Sequence, residues 1–176
     1  MRESATDNPV NSEVCPTLCR LIRLHAKPID ACLGIDGLPQ SATGQATMFT
    51  GVNCSAAMQR HCEGFPGPEL RKIIGENNLF LQLEKRGKRV RFADAYLIDS
   101  ADELAARRFK SVTTVMALTT PDVISTVDDL CDNKALMQDL TRETIQDRYP
   151  DIPVVDPAQA AEHLFSVARE NDFTLF

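Results

Sequence analysis

The C-terminal stretch constrains the fold more than any other part of the chain. Asp156, Pro157 and Gln159 mark a helix start: a capping acid, a proline at the first helical position and a glutamine that can reach back to the cap. Ala160, Ala161, Leu164, Phe165 and Ala168 follow at helical spacing and predict a stripe facing a core. Asp172 leads into Phe173–Phe176, an apolar run that reads as a strand. The same step occurs earlier. Asn77 or Asn78 caps a helix running to Arg86, Gly87 stops it, and Lys88–Ala93 follows as a strand with Val90 and Phe92 on one face. Helix, stop and strand, repeated, is the ordinary step of a layered α/β fold.

Other segments fit that class. Pro16–Leu24 reads as a short amphipathic helix with Leu18, Leu21, Ile22 and His25 on one side. Gly64–Pro68 is a loop, and Pro68 opens a helix through Ile74. Ser100 and Glu103 match a capping box for a helix through Lys110. Ser111–Tyr149 is mostly helical, with breaks near Pro121 and Asn133. The region from about 100 to 150 is expected to form a small helical cap over the sheet.

Charge excludes some functions. The net charge is -6 and the basic residues are scattered among acids, so nucleic acid is not the expected partner. The basic run Lys85–Arg91 reads as a solvated face. No segment approaches the roughly 20 apolar residues of a membrane span, and the N-terminus has no signal-peptide pattern, so no membrane partner is expected. The cytoplasm is the expected compartment, and there the six cysteines are free thiols.

The chemistry points to Ser41. It stands where a Gly-Leu-Pro turn enters a helix over Ala42–Thr50, as the N-cap or beside it. Helix starts carry unpaired N–H groups and partial positive charge, which suit phosphate and a serine alkoxide. Gly44 lets a ligand approach the backbone, and Gln45 and Asn53 offer neutral donors. A P-loop is excluded because Gln45 stands where its lysine belongs. A hydrolase elbow is excluded because Pro39 occupies the position of its first glycine.

The run LGIDGLPQSATGQATMFTGVN (Leu33–Asn53), followed by RHCEGFPGPELRKII (Arg60–Ile74), resembles the predicted metalloenzymes of the alkaline phosphatase superfamily. These are relatives of cofactor-independent phosphoglycerate mutase and phosphopentomutase. The resemblance continues through Phe92–Tyr96 (FADAY), Ser111–Thr114 (SVTT), Asp139–Thr141 (DLT) and Phe173–Phe176 (FTLF), and so covers the chain from about Asn8 on. The mutases place a serine or threonine nucleophile three residues before Gly-His. Ser41 falls at that position before Gly44, with Gln45 in place of the histidine.

The resemblance implies an α/β/α sandwich and a small phosphorylated substrate. It also implies two divalent ions (Zn, Mn or Mg) that ligate Ser41 and clamp the phosphoryl oxygens. Ser41 would form a phosphoenzyme, with Thr43 as the fallback nucleophile. Arg60 and His61, at an Arg-His position of the family, are candidates for substrate binding.

The metal ligands of the superfamily are Asp and His residues drawn from both ends of its domain. No apolar strand ending in Asp-Gly precedes Asn8, Asp36-Gly37 reads as a turn, and His25 and His163 sit on helices beside the core. The expectation is therefore a central fragment of a phosphohydrolase or phosphomutase, incomplete at both ends and inactive alone. The alternative is a truncated, non-catalytic domain that associates with a partner, or with itself, through exposed sheet edges.

Overall fold

In the computed structural model, residue 10 and residues 13–176 are described. The expectations that fall on residues 1–9, on a signal peptide and on a first strand, lie outside them. The chain divides into two compact units, Met1–Ala31 and Cys32–Phe176.

The first unit contains helix α1, Pro16–His25, with Pro16 in its first turn as predicted. Arg23 and His25 lie in its last turn, where the helix dipole favours positive charge. Cys19 is buried, whereas Leu18 and Leu21 of the predicted apolar side are exposed.

The second unit begins with α2 (Ser41–Thr50), α3 (Cys54–Met58), α4 (Pro68–Asn77) and α5 (Leu79–Glu84). Strand β1 (Val90–Phe92) follows, then α6 (Ala101–Ala106), α7 (Val112–Ala117) and α8 (Val127–Cys131). Helix α9 (Pro157–Glu170) and strand β2 (Phe173–Leu175) close the chain. The caps follow the sequence where a short polar side chain can reach the next turn. The Asn78 side chain accepts from the Leu81 N–H at 3.0 Å, and Asp156 and Gln159 form the full capping box of α9.

The two strands pair in parallel, with Val90 opposite Phe173, Arg91 opposite Thr174 and Phe92 opposite Leu175. Parallel pairing needs a long crossover, here the segment from α6 through α9. Beyond Phe92 the chain makes two more parallel bridges, Asp94 to Leu136 and Ala95 to Ser125. The α/β class is therefore correct in its coarse form: a mixture of helices with a small parallel sheet.

Phe80 anchors the core. It is fully buried and lies 6.2 Å from the Phe92 ring and 6.3 Å from the Phe173 ring, so α5 clamps both strands. Burying a ring of this size stabilises the fold by about 2 kcal/mol. Ala42 and Ala46 of α2, Leu70 and Ile74 of α4, and Val112 and Met116 of α7 complete this cluster.

Two expectations, on α6 and α9, are corrected. Helix α6 has no capping hydrogen bond from Ser100, and it ends at Ala106 because Arg107 turns extended. The segment from about 100 to 150, expected as a cap, contributes to two clusters. Val112, Met116, Ala117, Val123 and Ile124 belong to the main core, while Leu130, Ala135, Ile145 and Ile152 surround Ala95 in a separate cluster. Helix α9 is rotated from its predicted stripe. Ala160 and Val167, with half-buried Leu164, pack on Ala93, Leu136 and Val155. Ala161, Phe165 and Ala168 face outward, and the Phe165 ring is covered instead by the Arg169 guanidinium at 5.8 Å. Both faces of this helix carry small apolar residues, so spacing alone did not fix the rotation.

Candidate functional site

The site is built on the entrance of α2. Gln40 is the N-cap, in extended conformation, and Ser41 is the first helical residue. The loop after α3 returns to this point. The Cys62 carbonyl accepts from the Ala42 N–H at 3.0 Å and the Thr43 N–H at 3.2 Å, while the Thr43 hydroxyl accepts from the Cys62 N–H at 3.2 Å. These reciprocal bonds fasten the loop to the helix start. They also correct the expectation of a row of free N–H groups, since the second and third helical donors are already satisfied.

Ser41 is exposed, and its Oγ accepts from the Gly64 N–H at 3.1 Å. A donor aimed at the hydroxyl oxygen favours its anionic form. Gly44 and Gln45 lie three and four residues on, so they share the Ser41 face of α2 with exposed Met48. A side-chain carbon on Gly44 would meet no heavy atom within 4 Å, so there is room beside it. Gln45 is half-buried.

Three predicted residues prove to hold the frame. Thr43, the fallback nucleophile, is 0% exposed and hydrogen-bonded to the loop, whereas Ser41 is exposed. The Asn53 side chain caps α3 by accepting from the Ala56 N–H at 3.0 Å, and it donates to the Leu33 carbonyl at 2.9 Å. His61 places Nε2 3.0 Å from the Ile35 carbonyl and Nδ1 3.4 Å from the Ser55 hydroxyl. A carbonyl only accepts, so Nε2 carries the proton and Nδ1 accepts from Ser55. His61 thus pins the loop before α2. Gly37 sits at φ +114°, a backbone conformation that side chains rarely adopt, and a Cβ there would touch that imidazole at 3.4 Å, so Asp36-Gly37 bends the chain, as read from sequence. Arg60, by contrast, is exposed, and its guanidinium has no ion pair among the described residues.

Sequence reasoning missed two features nearby. Phe65, next to Gly64, contacts Phe109, with ring centroids 5.3 Å apart. Phe109 lies in the run Arg107-Arg108-Phe109-Lys110, and the Arg108 guanidinium sits 5.2 Å from its ring centroid. The run looked like a helix end, and only the third dimension brings it beside the Ser41 loop. The second feature is Asp94, just past the carboxyl end of β1, where α/β sheets build their sites. Its Oδ2 accepts from Gln138 Nε2 at 2.9 Å, while Oδ1 is buried without a partner. Burial pushes its carboxyl above the ordinary carboxylate value, and the Gln138 hydrogen bond opposes this only in part. The position of Asp94 within FADAY was the available signal.

Among the described residues no three His, Cys, Asp or Glu side chains gather closely enough to hold a metal ion. Both nitrogens of His61, whose loop returns to the start of α2, are already engaged. These residues alone do not fit the two-metal centre that the resemblance implies. The six cysteines are free thiols, of which Cys131 is exposed and only Cys19 and Cys54 are buried.

A cleft of about 360 Å³ lies elsewhere, between the start of β1, α8 and α9. Its charges are largely matched: Arg91 pairs with Asp129 at 2.6 Å, and Lys134 with Asp132 at 2.7 Å. No helix among the described residues is long and apolar enough to cross a membrane. No protein family, curated protein or solved structure matches the chain.

Proposed function

We propose that the entrance of α2 is the nucleophile element of a phosphoryl-transfer enzyme, a phosphohydrolase or phosphomutase of alkaline phosphatase type. The observation that carries this reading is the setting of Ser41. It is an exposed hydroxyl at the first position of a helix, with a backbone N–H on its oxygen and a frame that is otherwise fully bonded. An ordinary N-cap serine spends its oxygen on the helix N–H groups. Here Gln40 is the N-cap and the Cys62 carbonyl takes that task, so the Ser41 oxygen accepts from the Gly64 N–H instead of from its own helix.

The Ser41 oxygen attacks phosphorus as the ester P–O bond breaks, and the hydroxyl proton passes to the departing alcohol. Water, or a second hydroxyl, then takes the phosphoryl group from Ser41 and restores its proton. Gln45, on the same helix face, and Arg60, an exposed cation, are the groups proposed to hold the phosphoryl oxygens. The resemblance also implies divalent ions; the described residues do not hold them, so no step is routed through them. The α/β/α sandwich belongs to the same reading and is supported by the parallel β1–β2 pair with its helical crossover.

The test is phosphorylation of the protein at its natural length. Incubation with p-nitrophenyl phosphate and a divalent ion, followed by acid quench and peptide mass spectrometry, should place one phosphoryl group on Ser41. Ser41→Ala should lose both the label and phosphate release. Release that survives Ser41→Ala would sink the assignment, as would the absence of both label and release from the natural protein.

A further inference from the structure

We propose that the surface beside Ser41 selects phosphate esters that carry a flat heteroaromatic ring, nucleoside monophosphates being the simplest class. The inference rests on the phosphoryl-transfer reading and names its substrate.

The Gly64 N–H holds the Ser41 oxygen at 3.1 Å, and the next residue is Phe65. The Phe65 ring is paired with Phe109 at 5.3 Å and an interplanar angle of 34°. The two rings come from separate loops, one after α3 and the other after α6, so the fold assembles the pair. Yet Phe65 is 55% exposed and Phe109 60%. Two large rings brought together and left facing water form an exposed aromatic platform. The core is not short of aromatic partners, since Phe80, Phe92 and Phe173 already pack there.

Charge says what the platform suits. The chain carries a net charge of -6, but three of the four residues from Arg107 to Lys110 are basic. Arg107 leans toward Glu103 at 3.6 Å, Arg108 lies over the Phe109 ring, and Lys110 donates to the Arg107 carbonyl. Arg60, with no ion pair among the described residues, stands on the loop that leads to Cys62 and Gly64. An apolar peptide side chain would use the rings and ignore these cations. A sugar phosphate would use the cations and ignore the rings. A nucleobase joined to a phosphate uses both, because every base offers a π-face and the phosphate offers charge.

The experiment compares adenosine 5′-monophosphate with ribose 5-phosphate, titrated calorimetrically into the natural-length Ser41→Ala protein so that neither turns over. The nucleotide should bind about tenfold more tightly, the size expected from one stacked base. Phe109→Ala should bring the two affinities together by weakening the nucleotide alone, and Phe109→Tyr should restore the preference. Because Phe109 is exposed, its truncation leaves the core intact. Equal affinities, or a preference that survives Phe109→Ala, would overturn the inference. If Ser41 is nevertheless phosphorylated in the unmodified protein, the phosphoryl-transfer reading survives without it. If neither ligand binds and no phosphoserine forms, both fall.

Discussion

The entrance of α2 and the stretch from Asp94 to Arg142 treat their buried polar groups in opposite ways. Around α2, Thr43, Asn53, Ser55 and His61 all have hydrogen-bond partners, and the proposed reactive groups, Ser41 with the Gly64 N–H on its oxygen and Arg60, are at the surface. In the other region the unmet groups are inside. Arg142 is 1% exposed, and its guanidinium donates once, from Nη2 to Asn133 at 2.8 Å, leaving Nε and Nη1 buried without partners. Its backbone sits at φ 68°, the left-handed region that disfavours a side chain. Asp94 adds a buried, unpartnered oxygen. A satisfied frame that leaves reactive groups outside is what a site requires, whereas unmet groups inside subtract from stability.

The largest expected effect tests that contrast at Arg142. Burial draws the guanidinium below its ordinary value, an effect that the nearby Cys131 partly offsets, but the group stays charged. Removing a buried charge that lacks a counterion should help. Arg142→Met is expected to stabilise the chain by about 2 kcal/mol in urea unfolding. Loss of stability instead would mean that the guanidinium has a partner in solution, and the two regions would no longer differ in kind.

The second test works on the satisfied side. Thr43→Val keeps the shape of the side chain and removes the acceptor for the Cys62 N–H. It should destabilise by about 1.5 kcal/mol, and Thr43→Ser should recover part of that. If Thr43→Val unfolds at the same urea concentration as the parent, the reciprocal bonds between α2 and the Cys62 loop are not what hold the entrance together.

Much of this was legible in the sequence, and the gaps have physical causes. Caps that act within one turn could be read directly, as Asn78 and Asp156 show, because cap and helix are neighbours in the chain. The start of α2 was placed correctly, with Ser41 beside the cap, but the group that satisfies its first donors was not foreseen. The Cys62 carbonyl that satisfies Ala42 and Thr43 comes from about twenty residues away, and a carbonyl has no sequence signature. Asn53 and His61 looked like substrate groups because their donors suit phosphate, yet they serve Leu33, Ala56, Ile35 and Ser55. A polar side chain near a nucleophile cannot be assigned to ligand or frame until its partners are known. The Phe65–Phe109 pair was invisible for the same reason: each residue alone is an ordinary exposed aromatic on a loop.

Asp94 gives the smallest expected effect, and pH separates its causes. Burial raises its folded-state value above the ordinary one of 3.8. Between the ordinary and the raised value, the folded chain keeps a proton that the unfolded chain has released. The stability that Asp94 contributes is therefore greatest in acid, declines as pH rises through that window and is flat above it. At neutral pH the carboxylate is charged, with Oδ1 buried and unpartnered, and this is a cost. Asp94→Asn keeps an oxygen for the Gln138 amide and removes the charge, so it should stabilise the chain by about 1 kcal/mol at neutral pH. That gain should shrink in mild acid, where the parent carboxyl is itself protonated. Melting temperatures of parent and variant at the two conditions decide it. A variant less stable than the parent at neutral pH would mean that the Asp94 charge is compensated in solution. In that case Asp94, at the carboxyl end of β1, would belong with the satisfied, site-like region and not with Arg142.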